Sequence, residues 1–233
     1  MSSRSNPCSY LIRGQKLLLL PEKVVFWEDQ RVLLVSDLHL GKVGHFRKAG
    51  IAIPKSLEQE DLGILSDLIS EYKPLTLLIL GDFFHSKMNE DWHWITLWRN
   101  QFKDLKIVLV KGNHDIIPDS YFLDLRFEIF QETYFSFPFV FTHHPPLNEE
   151  SLEEYFQVCG HIHPSVSIRG LGGQSRRLPC FYFFEKYGIL PAFGRFTGNH
   201  PMKIDPKAKI FIVSENSVIP VPEKGKKSPG KLA

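Results

Sequence analysis

Five short apolar runs, each closed by a cluster of ligand-type side chains, constrain this chain more than any other feature. Val32-Leu-Leu-Val-Ser36 leads into Asp37-Leu-His39, and Leu77-Leu-Ile-Leu80 into Gly81-Asp82. Ile107-Val-Leu-Val110 precedes Gly112-Asn113-His114-Asp115, and Phe139-Val-Phe-Thr142 precedes His143-His144-Pro145. Phe156-Gln-Val-Cys159 ends in Gly160-His161-Ile162-His163. Runs of this length bounded by Gly or Pro read as buried strands. The polar side chains then stand just past the C-terminal ends of strands, where α/β sheets carry their sites. Carboxylate, imidazole and amide oxygen together suit hard-to-borderline divalent metals, and the absence of thiolate argues against a structural zinc site.

The remaining chain supplies the frame. Lys16–Leu20 and Val24–Trp27 read as a hairpin, and residues 1–9 as a polar start ordered late or not at all. Leu75–Leu80 is the strand that presents Asp82. Ser56–Tyr72 has leucine or isoleucine at 57, 62, 65, 68 and 69, a helical period with Ser56 at its N-cap. Glu90–Phe102 carries Trp94, Leu97, Trp98 and Phe102 at helical spacing. Phe127–Ile129, Tyr134–Phe137 and Phe139–Thr142 are expected in a second sheet, completed by Phe181–Phe184, Ile189–Pro191 and Ile210–Val213. No linker divides the chain, so residues 1–222 read as one domain and 223–233 as a basic, flexible tail. At 43% hydrophobic and 23% charged residues, 233 residues can bury a real core. A net charge of +2 is not the strongly basic balance of a dedicated duplex-binding domain. Three cysteines without a Cys-x-x-Cys pair fit a reducing compartment, and no run approaches the roughly 20 apolar residues of a membrane span. A soluble, cytoplasmic protein is expected.

The five blocks in this order resemble the calcineurin-like metallophosphoesterases. A narrower resemblance is carried by Gly41-Lys42, Phe46-Arg47, Gly50-Ile51 and Pro54. It continues in Arg177-Leu-Pro-Cys-Phe181, Leu190-Pro-Ala-Phe-Gly194 and Phe196-Thr-Gly-Asn-His200. These are similar to the bacterial DNA-ligase-associated branch of that superfamily. The resemblance implies an α/β, four-layer sandwich of two mixed β-sheets flanked by helices. It implies two divalent ions, Mn2+ first and Fe or Zn also acceptable. Asp37, His39, Asp82 and His163 would hold one, and Asp82, Asn113, His143 and His161 the other, with each Asp82 oxygen serving one metal. Paired cations can clamp a phosphate and yield a bridging hydroxide for in-line attack. His114 becomes the candidate acid, oriented by Asp115. His-x-Pro points to His143 as ligand and leaves His144 to a supporting position or to solvent.

Taken singly, Asp-x-His or Gly-Asp after a strand is common turn chemistry, and it is the combination that points to a site. Lys42 and Arg47 come from a basic loop that meets substrate phosphates or is simply solvated. His85 reaches the substrate or caps its loop. The block 193–200 is either a rim loop bringing Arg195 or His200 to a phosphate, or a glycine-rich turn packing its phenylalanines into a sheet edge. The run Phe181-Tyr-Phe-Phe184 reads as strand core rather than a base-stacking platform. The function expected is a metal-dependent phosphodiesterase or nuclease acting on DNA in repair, alongside a DNA ligase, a helicase and a second nuclease. The alternatives are an enzyme for a small nucleotide or sugar phosphate, favoured by the near-neutral charge, and a metal-free scaffold.

Overall fold

The computed structural model describes residues 6–42, 56–85, 88, 91–147, 154–169, 172–195 and 197–222. The first sheet has seven strands in chain order across it. They are β1 (Cys8–Ile12), β2 (Gln15–Leu19), β3 (Val25–Trp27), β4 (Val32–Val35), β5 (Thr76–Leu80), β6 (Lys106–Val110) and β7 (Phe127–Phe130). β1 to β4 run antiparallel through short turns. β4 to β7 are parallel, which demands a crossover at each step. Helices α1 (Ser56–Tyr72), α2 (Asp91–Gln101) and α3 (Asp119–Asp124) make those crossovers. Side chains alternate across the strands: Leu33, Val35, Leu77, Ile79, Ile107 and Leu109 turn toward the helices. There they meet Leu62, Leu65, Leu68 and Ile69 of α1, Ile95 and Trp98 of α2 and Phe122 of α3.

The second sheet has nine strands. They are β8 (Thr133–Ser136), β9 (Phe139–Thr142), β10 (Phe156–Cys159), β11 (Pro164–Arg169), β12 (Ser175–Phe183), β13 (Tyr187–Ile189), β14 (His200–Pro201), β15 (Lys209–Val213) and β16 (Val218–Pro220). Its order is β14-β11-β12-β13-β10-β9-β8, with β15 on β12 and β16 on β15. Both sheets are mixed, since β9, β10 and β13 pair parallel and the hairpins antiparallel. The sheets pack face to face through Leu34, Leu78, Leu80, Val108 and Val110 on one side and Phe139, Phe141, Phe156, Val158, Phe181 and Phe183 on the other. Each such side chain contributes about 1.5–3 kcal/mol by leaving water. The far face of the second sheet buries a smaller cluster around Val166, Tyr182 and Ile210, and among the described residues no helix covers it.

Two expectations need correction. Phe127–Phe130 belongs to the first sheet: α3 carries the chain back for parallel pairing with β6, and Phe127 packs under that helix. Near the start of the chain Asn6 bridges to Ser217, and Cys8–Ile12 forms an edge strand. Its half-polar composition hid it. The run Phe181–Phe183 is buried strand core, as read from the sequence. No described helix is long and apolar enough to cross a membrane. The tail from 223, the loop from 43 to 55 with Arg47, and Phe196 lie outside the described residues.

Candidate metal centre

All five polar blocks converge at one end of the two sheets. β4, β5 and β6 of the first sheet deliver Asp37 with His39, Asp82, and Asn113 with His114. β9 and β10 of the second deliver His143, and His161 with His163. Five donors adopt the left-handed region, with φ of 54° at Asp37, 51° at His39 and Asp82, 69° at His161 and 54° at His163. Non-glycine residues rarely adopt it, and such strain concentrates at functional sites. Close approach requires the motif glycines Gly81, Gly112 and Gly160, the last because a Cβ there would meet the Asp37 carboxylate. A Cβ at Gly81, itself at φ +77°, would run into the His143 imidazole, and one at Gly112 into the Asp82 carboxylate.

The donor atoms form two groups. His163 Nε2 lies 3.1 Å from Asp37 Oδ1, and His39 Nε2 lies 3.6 Å from Asp82 Oδ2. On the other side, His143 Nε2 is 3.2 Å from Asn113 Oδ1, 3.1 Å from His161 Nδ1 and 3.5 Å from Asp82 Oδ2. Asp82 stands between the groups through Oδ2 alone, because Oδ1 accepts the His114 N–H at 2.8 Å. That differs from the expected division of its two oxygens. The arrangement fits divalent cations: the buried His39 Nε2 has no hydrogen-bond partner, and Asp37, His39 and His163 offer ligand atoms within 4.8 Å of one another. His144 joins a second such cluster with His143 and His161, its ring centroid 4.2 Å from that of His161. Sequence reasoning had left it to one side.

Burial pushes His39 down to about 3, with Asp37 opposing and His85 adding to the shift. Burial and the neighbouring imidazoles also hold His161 and His144 below their ordinary range. Neutral imidazole is the form that binds metal. Burial works to raise the Asp37 carboxyl, but the bond to His163 and the charges of His163 and His143 keep it low. Burial likewise works against the charge on His163, whose value is nevertheless raised by Asp37. Backbone carbonyls fix the tautomers. His143 Nδ1 donates to Leu80 O and His163 Nδ1 to Gly198 O, both at 2.9 Å, which turns each Nε2 inward. Neither carbonyl has a signature in the sequence.

The remaining candidates divide. His85 enters the centre, with its Nδ1 2.9 Å from His39 Nδ1 and its ring 4.2 Å from that of His114. Asp115 gives both oxygens to the backbone, accepting from Phe84 N at 3.0 Å and Gly112 N at 2.9 Å. It therefore ties the β5 and β6 loops together rather than orienting His114. Arg195 pairs with Glu60 and Asp61 of α1 and not with the centre. His200 is exposed on β14, and its N–H donates to His163 O at 2.8 Å. Within the 193–200 block Phe193 is buried and Gly194 lies against the Leu38 carbonyl, while Gly198 O holds His163.

The family described as calcineurin-like phosphoesterase matches residues 30–182. The nuclease MPE of Pseudomonas putida is 30% identical, with a TM-score of 0.76 over 93% of this chain and 100% of that one. YfcE, a phosphoesterase from E. coli, is 15% identical, with a TM-score of 0.42 over 82% of this chain and 98% of that one. No curated protein matches in sequence.

Proposed function

The chain belongs to the calcineurin-like phosphoesterase family, and on that premise we propose that it hydrolyses phosphodiester bonds in DNA with two divalent cations. The observation that carries this reading is the meeting of two donor groups at Asp82 Oδ2. Asp37, His39, Asp82 and His163 would hold one ion, and Asp82, Asn113, His143 and His161 the other. Oxygen and imidazole donors suit Mn2+ and also accept Fe or Zn. When bound, the ions would draw charge from the phosphate oxygens and make water a better nucleophile.

The protein's own groups have separate work. His114, whose N–H fixes Asp82 Oδ1, gives a proton to the leaving oxygen. His85, against the rings of both His39 and His114, steadies that acid and flanks the phosphate. DNA as substrate is supported by the likeness to a protein described as a nuclease, over nearly the whole chain. A role in repair beside a DNA ligase, a helicase and a second nuclease, in the cytoplasm, extends the resemblance of residues 41–54 and 177–200.

The test is hydrolysis of an aryl phosphodiester against the corresponding monoester, after metal removal and resupply with Mn2+. Preference for the diester is expected, with His114→Ala lowering the rate about 10²–10⁴-fold. Preference for the monoester would overturn the nuclease reading and favour a small phosphorylated metabolite.

A further inference from the structure

A cleft of about 900 Å³ opens directly beside the metal centre. Asn113, His143 and His144 are among its lining residues, and so are Phe135 and Tyr155. Its floor is the outward face of β8, β9 and β10, where Phe135 pairs with Val140 and Val140 with Gln157. The opposite faces of these strands supply Tyr134, Phe141 and Phe156 to the core between the sheets. Phe135 is 60% exposed, and its ring lies 5.3 Å from that of Tyr155 at 68°. Phe137, 72% exposed, approaches the same Tyr155 ring at 5.9 Å. Aromatic surface is thus held in water within the cavity that reaches the candidate ligands.

We propose that this aromatic surface binds one unstacked nucleobase of the substrate strand, with Phe135 as the stacking platform and Tyr155 bracing it. The proposal rests on the reading of the chain as a nuclease and names what that site selects. Charge favours a base over a second phosphate there. Lys111, the one lysine or arginine among the described residues that line the cleft, is paired with Asp119 at 2.7 Å, and Glu132 adds negative charge. What the cleft offers is a flat apolar face with an amide and a hydroxyl beside it, from Gln131 and Thr133. A nucleobase presents π faces and polar edges to match, and stacking on aromatic rings tolerates any base. The base must leave its duplex stack to enter, so single-stranded or opened DNA is the form admitted.

The experiment is fluorescence anisotropy with Mn2+-loaded protein. The probes are a labelled oligothymidylate and an abasic strand of the same length, both with backbone linkages that resist hydrolysis. Wild type is expected to bind the oligothymidylate about 5–150-fold more tightly, the span of one base–aromatic stack. Phe135→Ala should lose that preference and Phe135→Trp keep it, with circular dichroism to verify folding. Equal affinity of wild type for the two strands overturns the proposal, and so does an unchanged ratio in Phe135→Ala. Hydrolysis of methyl p-nitrophenyl phosphate, which carries no base, is followed in parallel. Its absence beside base-dependent binding would remove the diesterase reading and leave the subsite. Its presence without base discrimination would remove the subsite alone.

Discussion

Asp82 is the residue on which both halves of the centre depend, and its geometry makes a testable distinction. Oδ1 is engaged by the His114 N–H, so only Oδ2 faces His39 and His143 together. On the proposed two-ion reading, Asp82→Asn keeps the shape but removes the shared negative charge, so the purified variant should lose both ions on dialysis. His163→Ala touches one group only and should lose one. Elemental analysis reads the difference, and an Asp82→Asn protein that retained one ion would show the carboxylate is not shared. The donors were legible in the sequence because each follows an apolar run whose end the sheet directs to one place. The supporting atoms were not. Leu80 O and Gly198 O are backbone groups that any residue could supply. Arg195, an arginine between aromatics, looked available for phosphate. Its partners Glu60 and Asp61 lie far away in sequence, and only the folded chain brings them together.

At the scale of elements, the strands that carry the donors and the two long helices were legible from period and punctuation, whereas Cys8–Ile12, Pro164–Arg169, the short helix Asp119–Asp124 and sheet membership were not. Phe127–Phe130 and Phe139–Thr142 have the same aromatic-apolar character, yet a six-residue helix sends the first to one sheet and a hairpin leaves the second in the other. The 193–195 segment shows how far elements are coupled. Lys23 Nζ donates to Phe193 O at 2.6 Å, Gly194 N donates to Asp37 O at 3.1 Å, and Arg195 N donates to Asp61 Oδ2 at 3.4 Å. This joins the turn before β3 and helix α1 to the loop behind the centre. Burial pushes the Asp61 carboxyl up to about 6, against the pull of the Arg195 N–H and guanidinium and of Lys23, with Glu60 adding to the rise. The folded chain therefore holds this proton more tightly than the unfolded chain. Its stabilisation is complete below about pH 4 and is lost as pH rises through about 6, by at most about 3 kcal/mol. Lys23, pushed down to about 8 by burial, titrates above that window. Asp61→Asn is neutral throughout and removes the slope. Between pH 4 and 7 its Tm should gain on wild type by several degrees, at about 2–4 °C per kcal/mol for a chain of this size. A constant difference across that range in thermal scans would place the cause elsewhere.

Over the whole molecule, the centre is a seam between two sheets, and their shared core sets its geometry. The first sheet brings Asp37, His39, Asp82 and Asn113, the second brings His143, His161 and His163, and each donor group draws on both. A shift of one sheet on the other therefore moves ligands apart, whereas loosening of the helical layer does not. Phe141 and Leu65 separate these effects, since both are fully buried. Phe141 packs between the sheets beside Trp27 and Tyr134, two residues before His143. Leu65 lies on α1 in the core on the opposite face of the first sheet. Truncation to alanine should cost about 3–5 kcal/mol at Phe141 and about 2–5 kcal/mol at Leu65, enough in each case to lower Tm visibly. Cores transmit strain because they are close-packed, so Phe141→Ala should also weaken the binding of added Mn2+, the proposed metal, about tenfold, as loss of a supporting group around a metal does. Leu65→Ala should leave that affinity within about twofold of wild type, since side chains on the far face of a sheet hold no part of the seam. Titration calorimetry well below both melting temperatures makes the comparison. Equal loss of affinity in the two variants would mean that global stability, not the packing of sheet on sheet, governs the centre.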